Sequence, residues 1–147
     1  DEQTFNSIEL CNYPLMVLLR RDATWATRKK INLEELQHQS FLMFPENFSL
    51  NSIILDACKQ HGFYPTIACR TSQWHLLADM VLQHMGIALL PQYYTDMLDP
   101  TLFAAVPLEK PNIQWHLVMA WKKNLPVSPA VQAWLSIVRQ HFQHIKP

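Results

Sequence analysis

Apolar residues in this chain fall into short runs separated by polar, proline-marked or glycine-marked stretches, and the spacing alternates between strand-like and helix-like. Residues 14–19 are continuously apolar and closed by Arg20 and Arg21; the run is too short for a buried helix and predicts a strand. Residues 22–35 are polar and irregular, as a connector would be, with a short helical turn expected at 33–36. Phe41, Leu42, Met43 and Phe44 read as a buried strand ended by Pro45. Ser49 then stands where a hydroxyl can accept from the free amides of a first helical turn, and Leu50, Ile53, Ile54, Ala57 and Cys58 follow at helical spacing. Gly62 is placed to end that helix with a positive φ. Residues 65–70 predict the next strand. Thr71 or Ser72 is expected to cap a helix with the apolar face Trp74, Leu77, Ala78, Val81, Leu82 and Met85, and Gly86 to stop it. Residues 87–90 predict another strand, after which Pro91 opens a helical turn through Tyr93 and Tyr94.

Strand, helix, strand, helix, strand between Phe41 and Leu90 is a βαβαβ unit, whose right-handed crossovers require parallel strands covered by helices. The two glycines of the chain both fall at expected helix ends, which supports the register of the whole unit. Beyond it, 102–106 and 113–121 read as strands, the second alternating with Ile113, Trp115, Leu117, Met119 and Trp121 on one face. Ser128 and Pro129 form a cap and first-turn pair for a final helix with the stripe Val131, Trp134, Leu135, Val138 and Phe142. The expected class is α/β.

Composition narrows what such a fold can do. With 147 residues, 49% of them hydrophobic, the chain can bury a core. Twelve basic residues balance 12 acidic ones, so the basic bias needed to grip a phosphate backbone is missing and the chain is not expected to bind DNA by itself. Cys11, Cys58 and Cys69 are widely spaced, odd in number and without a Cys-x-x-Cys pair, so reduced thiols are expected rather than disulfides or zinc. Seven histidines are scattered; His141 and His144 alone approach a chelating spacing, and a solvated terminal turn explains them better than a metal does. Cys69 has no adjacent base, and there is no phosphate-binding glycine loop, so no catalytic residue, metal or cofactor is expected. No apolar run reaches the roughly 18 residues of a membrane span, and no membrane partner is expected.

The ordered combination of Phe41-Leu42-Met43-Phe44, Ala57-Cys58-Lys59-Gln60-His61-Gly62-Phe63-Tyr64-Pro65 and Met85-Gly86-Ile87-Ala88-Leu89-Leu90-Pro91 resembles the second lobe of the effector-binding (substrate-binding) domain of LysR-type transcriptional regulators. The tryptophan-containing strand and the Ser-Pro-initiated last helix extend the resemblance over 14–142. Where that family commonly has a His-Pro-Leu-Ala-like segment after the first strand, this chain reads Asp22-Ala23-Thr24-Trp25-Ala26. The resemblance implies a periplasmic-binding-protein-like (type 2) effector domain, with one complete βαβαβ lobe and part of the other. Residues 1–22 would end lobe one, 23–122 form the connector and lobe two, and 123–147 return to lobe one. The first part of lobe one and a winged helix-turn-helix would lie outside these residues, with DNA contacted only through the latter.

The implied function is to bind a small-molecule effector in an interlobe cleft and so control DNA binding and transcription, in a cytoplasmic homo-oligomer. The helix starting at Ser49 is a candidate oligomer interface, with Asn51, Asp56, Lys59 and Gln60 on its exposed side. A solute-binding protein or stand-alone small-molecule-binding module of the same architecture is the alternative.

Ligands of open parallel sheets bind beyond the carboxyl ends of the strands, which here means the loops 45–48, 71–74 and 91–94. Two of these lead into helix N-termini, whose free amides and dipole favour a carboxylate or phosphate. The expected effector-binding residues are Asn47, Phe48, Ser49, Thr71, Ser72, Gln73, Pro91 and Tyr93: mostly neutral donors with some apolar wall, suited to a small organic anion. Thr71, at a strand end just before the helix, is the leading candidate. Ser49 and Ser72 are explained completely as helix caps, a better account of either than ligand contact, and core packing accounts for Trp74 better than effector stacking does.

Overall fold

The computed structural model describes residues 4–124 and 126–142, so His144 lies outside the described residues. The chain forms two compact units, one from Tyr13 to Trp115, the other from the residues up to Asn12 together with those from His116 onward. It passes between them inside β1 (Phe5–Arg20) and inside β7 (Gln114–Lys122).

The unit Tyr13–Trp115 is built on a mixed sheet in the order β2 (Ile31–Asn32), β6 (Phe103–Lys110), β1, β5 (Ile87–Pro91), β3 (Ser40–Met43), β4 (Thr66–Arg70). β3 pairs in parallel with both β4 and β5, and α1 (Ser49–Gln60) and α2 (Trp74–Leu82) are the crossovers. The βαβαβ unit is therefore the one its sequence predicts. Because β3 lies between β4 and β5, the two right-handed crossovers run in opposite directions and place the helices on opposite faces. That reversal creates a switch point beside the carboxyl ends of β3 and β5. On its other side β5 meets β1 antiparallel, from Leu15 opposite Pro91 to Leu18 opposite Ala88, and β1 meets β6 antiparallel. β5 and residues 15–19 of β1 are central and covered on both faces, which is why they read as unbroken apolar runs. β4, at the sheet edge, alternates between exposed and half-buried. Leu15, Leu18, Phe41, Leu42, Ile54, Leu77, Leu89 and Leu90 form the fully buried centre.

Several local expectations need correction. β1 begins at Phe5, not Pro14, because its first half alternates with polar residues and the apolar run marks only the buried half. β2, two residues paired in parallel with β6, was not expected; Ile31 is fully buried there. The single 3-10 turn Leu33–Leu36 that follows is the one predicted. α1 is capped by Phe48, so Ser49 is its first helical residue and makes no side-chain cap bond. Gln73, not Ser72, is the N-cap of α2, and Thr71 Oγ1 accepts from its N–H at 3.3 Å. α2 stops at Leu82, and His84 (φ 59) supplies the left-handed residue assigned to Gly86, leaving Met85 beyond the helix and exposed. Gly86 (φ 154) has a different reason to be glycine: a Cβ there would lie 2.3 Å from the Ser40 carbonyl oxygen. Gly62 ends α1 at φ 81 as expected.

The second unit holds the early part of β1, β7 from His116, and α4 (Pro129–Phe142). β7 pairs with β1, the Lys123 amide donates to the Thr4 carbonyl at 3.0 Å, and His116 Nδ1 lies 3.2 Å from Glu9 Oε2. α4 starts as predicted, with Ser128 Oγ accepting from the Val131 N–H at 3.4 Å and Pro129 in the first turn. Of its apolar stripe, Leu135 and Val138 are buried, whereas Val131 and Trp134 are 43% and 55% exposed and the neighbouring Ile137 63%. No helix among the described residues is long and apolar enough to cross a membrane.

Candidate functional site

The carboxyl ends of β3, β4 and β5 bring the three candidate loops to one edge of the unit Tyr13–Trp115. The Thr71 amide donates to the Met43 carbonyl at 3.1 Å, tying the exit of β4 to that of β3. Glu46 and Arg70 form an ion pair at 3.5 Å across the same two loops. The Trp74 ring lies 4.9 Å from that of Tyr94, which joins the start of α2 to α3 (Gln92–Thr95). Thr71, Ser72 and Gln73 are thereby brought beside the segment carrying Tyr93. Thr71 is half-buried, with its hydroxyl fixed over the Gln73 amide, while Ser72 and Gln73 are exposed.

Other candidates fare differently. Asn47 and Ser49 are exposed at the β3–α1 loop, and Phe48 stacks on Phe44 with ring centres 5.3 Å apart. Pro91 is buried as the last residue of β5, so it shapes the edge. Asn51 is buried, only 3% exposed, and not on the outer face of α1 where its polarity had placed it. Its Oδ1 has no hydrogen-bond partner among the described residues.

Tyr13 and Trp115 escaped the sequence reading. Tyr13 lies 5.5 Å from Tyr93 and 6.5 Å from Trp115, and Tyr94 lies 5.9 Å from Trp115 (ring centres). The antiparallel register of β1 on β5 carries Tyr13 past Pro91 to the strand end, and the Leu15 amide bond to the Ile113 carbonyl brings the start of β7, with Trp115, alongside. No local pattern reveals that pairing.

A hollow of about 470 Å3 lies elsewhere, lined by Arg20, Arg21, Asp22, Leu82, Thr101 and Leu102. It sits where β1 ends beside the start of β5, away from the carboxyl edge. Its Arg20 donates twice to Asp22, at 2.8 and 2.6 Å, and once to the Leu82 carbonyl at 2.8 Å. The Arg20 hydrogen bond holds the Asp22 carboxyl below its usual range. Its place away from the carboxyl edge, where ligands of open α/β sheets bind, makes the hollow the weaker candidate.

The three cysteines are free thiols. Burial pushes the Cys58 thiol up to about 11, and burial followed by the Glu9 charge raises that of Cys11. Both shifts disfavour the thiolate that a nucleophile or metal ligand needs. Among the described residues no group of three or more His, Cys, Asp or Glu is placed to hold a metal ion.

A doubly wound sheet with a polar and aromatic rim beyond its carboxyl edge defines a small-molecule-binding α/β module. The LysR substrate binding domain family matches residues 1–143, and the chain belongs to that family, the ligand-sensing part of LysR-type transcriptional regulators. It is 35% identical over 142 residues to the uncharacterized HTH-type transcriptional regulator YwbI of Bacillus subtilis (strain 168), covering 97% of this chain and 47% of that protein. The chain thus spans about half the length of the curated relatives it matches. Among solved structures, the regulatory domain of Synechocystis PCC6803 CcmR in complex with 2-PG superposes with a TM-score of 0.86 at 16% identity, covering 96% of this chain and 68% of that one. The effector-binding domain of QuiR in complex with shikimate gives 0.83 at 17% identity, covering 100% and 69%. The fold is the periplasmic-binding-protein-like type 2 fold that the sequence resemblance implied.

Proposed function

We propose that this chain is the sensing part of a longer LysR-type regulator and takes a small organic anion at the rim formed by 45–49, 71–74 and 91–94. The observation that carries the reading is the placement of Thr71, Ser72 and Gln73 at the switch-point edge, between the N-termini of α1 and α2. The Thr71 and Ser72 hydroxyls and the Ser72 amide there can hold a carboxylate without a free cation, helped by the helix ends. Asn47, Phe48, Ser49, Pro91 and Tyr93 complete the set. The shikimate bound to QuiR is a carboxylate, which agrees with this chemistry.

On this reading residues 1–22 and 123–147 belong to lobe one and 23–122 to the connector and lobe two. The chain performs no catalytic step. The effector biases one of two conformations of a cytoplasmic homo-oligomer, and a helix-turn-helix elsewhere in the protein transmits the bias to DNA. The test is a thermal-shift screen of the full-length regulator against shikimate and other small carboxylates. A true effector at a hundredfold excess over its Kd stabilises the protein by about 2.7 kcal/mol, and Thr71→Val should diminish that shift, with the lost Gln73 N–H bond lowering the stability of the ligand-free protein by no more than about 1 kcal/mol. Failure of every carboxylate, or an undiminished shift in Thr71→Val, would remove the reading.

A further inference from the structure

Five aromatic side chains meet at the rim. Trp74 contacts Tyr94, Tyr94 contacts Tyr93 and Trp115, and Tyr13 contacts Tyr93 and Trp115, with ring centres between 4.9 and 6.5 Å apart. They come from four segments: β1, the first residue of α2, α3 and β7. Trp74 and Trp115 pack against the buried core with part of their surface, while Tyr93 is 44% exposed and the other four rings are half-buried. Their flat apolar faces stand beside Thr71, Ser72 and Gln73, with Trp74 the next residue of the chain. The rim's charged side chains, Glu46 and Arg70, neutralise each other. An anion held there gains little from a free cation, so the body of the ligand must contribute much of the binding.

We propose that the cluster of Tyr13, Trp74, Tyr93, Tyr94 and Trp115 makes this rim selective for a ring-bearing organic anion over a linear one. The inference rests on the anion-sensing reading and specifies its ligand class. The carboxylate lies against the Thr71 and Ser72 hydroxyls and the Ser72 amide, and the ring lies on the aromatic faces, where offset or edge contacts add to simple area burial.

Calorimetric titration of the full-length regulator tests it, with benzoate and cyclohexanecarboxylate as ring probes and succinate and butyrate as linear ones. The ring probes should bind at least about tenfold more tightly, which corresponds to roughly 1.4 kcal/mol. Tyr93→Ala, at an exposed position, and Tyr94→Leu, which keeps apolar volume, should each shrink that ratio severalfold; Thr71→Val should weaken all probes alike. Circular dichroism establishes that each variant is folded. Equal or tighter binding of the linear probes, or an unchanged ratio in the folded tyrosine variants, would overturn the ring preference and leave the anion-sensing reading intact. Binding of none of the four would overturn both.

Discussion

Gly86 and Gly62 both have positive φ, yet their substitution should have different consequences. At Gly62 (φ 81) a Cβ meets nothing within 4 Å, so Gly62→Ala carries only the left-handed backbone cost of about 1 kcal/mol. At Gly86 the same atom would lie 2.3 Å from Ser40 O and 2.9 Å from its carbonyl carbon, on the neighbouring strand β3. Backbone there cannot swing aside as a side chain would, so Gly86→Ala should cost about 3 kcal/mol or more. Chemical denaturation of the two variants measures the difference; equal costs would mean that β3 and β5 are not in this register. Cys58 supplies a second residue-level expectation. It is fully buried and its thiol is pushed up to about 11, so iodoacetamide at pH 8 should leave it unmodified in the folded protein and label it after unfolding. Mass spectrometry of the peptides reads the result directly.

Elements show where a one-dimensional pattern suffices. α2 is secured by Leu77, Ala78 and Val81, all predicted on one face, and Leu77 is fully buried. Leu77→Ala should therefore destabilise the protein by about 2–5 kcal/mol. Periodicity located such helices and the parallel strands between them because burial on one face leaves a repeat in the sequence. It located caps less well: Phe48 and Gln73 have extended backbone at the N-cap without a capping side chain, so the nearby serines were misleading. β2 escaped because two residues carry no period.

The turn after β2 shows a different local tie. Arg28 bonds Glu35 at 2.6 Å and the Asn32 amide donates to the same carboxylate at 2.9 Å, and these bonds, Arg28's first, hold the Glu35 carboxyl below its ordinary value. A depressed carboxyl stabilises the fold above its unfolded pKa and loses that contribution as pH falls through the folded one. NMR titration should place the Glu35 midpoint below that of an unperturbed glutamate, moving upward in Arg28→Ala. An unmoved midpoint would mean that the pair does not form in solution.

For the whole molecule, the family and the βαβαβ unit were legible in the sequence, whereas the composition of the rim was only partly so. Thr71, Ser72 and Gln73 could be named from their place after a strand. Tyr13 and Trp115 could not, because they reach the rim through strands that pair across most of the chain. The exposed Val131, Trp134 and Ile137 on α4 belong to the same scale. The CcmR regulatory domain extends beyond the part matched here, 68% of its length. Under the proposed lobe assignment the rest of lobe one covers this face. Trp134 emission should then be blue-shifted in the full-length regulator relative to residues 1–147 alone, with Trp134→Phe identifying the signal.

Hydrogen exchange of the full-length regulator, with and without a carboxylate that stabilises it, bears most directly on where the effector sits. Protection is expected at the amides of 46–50, 71–75 and 92–95, with little change at Arg20–Asp22 or Thr101–Leu102. Protection concentrated around Arg20 and Thr101, with the three carboxyl-edge loops unchanged, would contradict a sensing site at that edge.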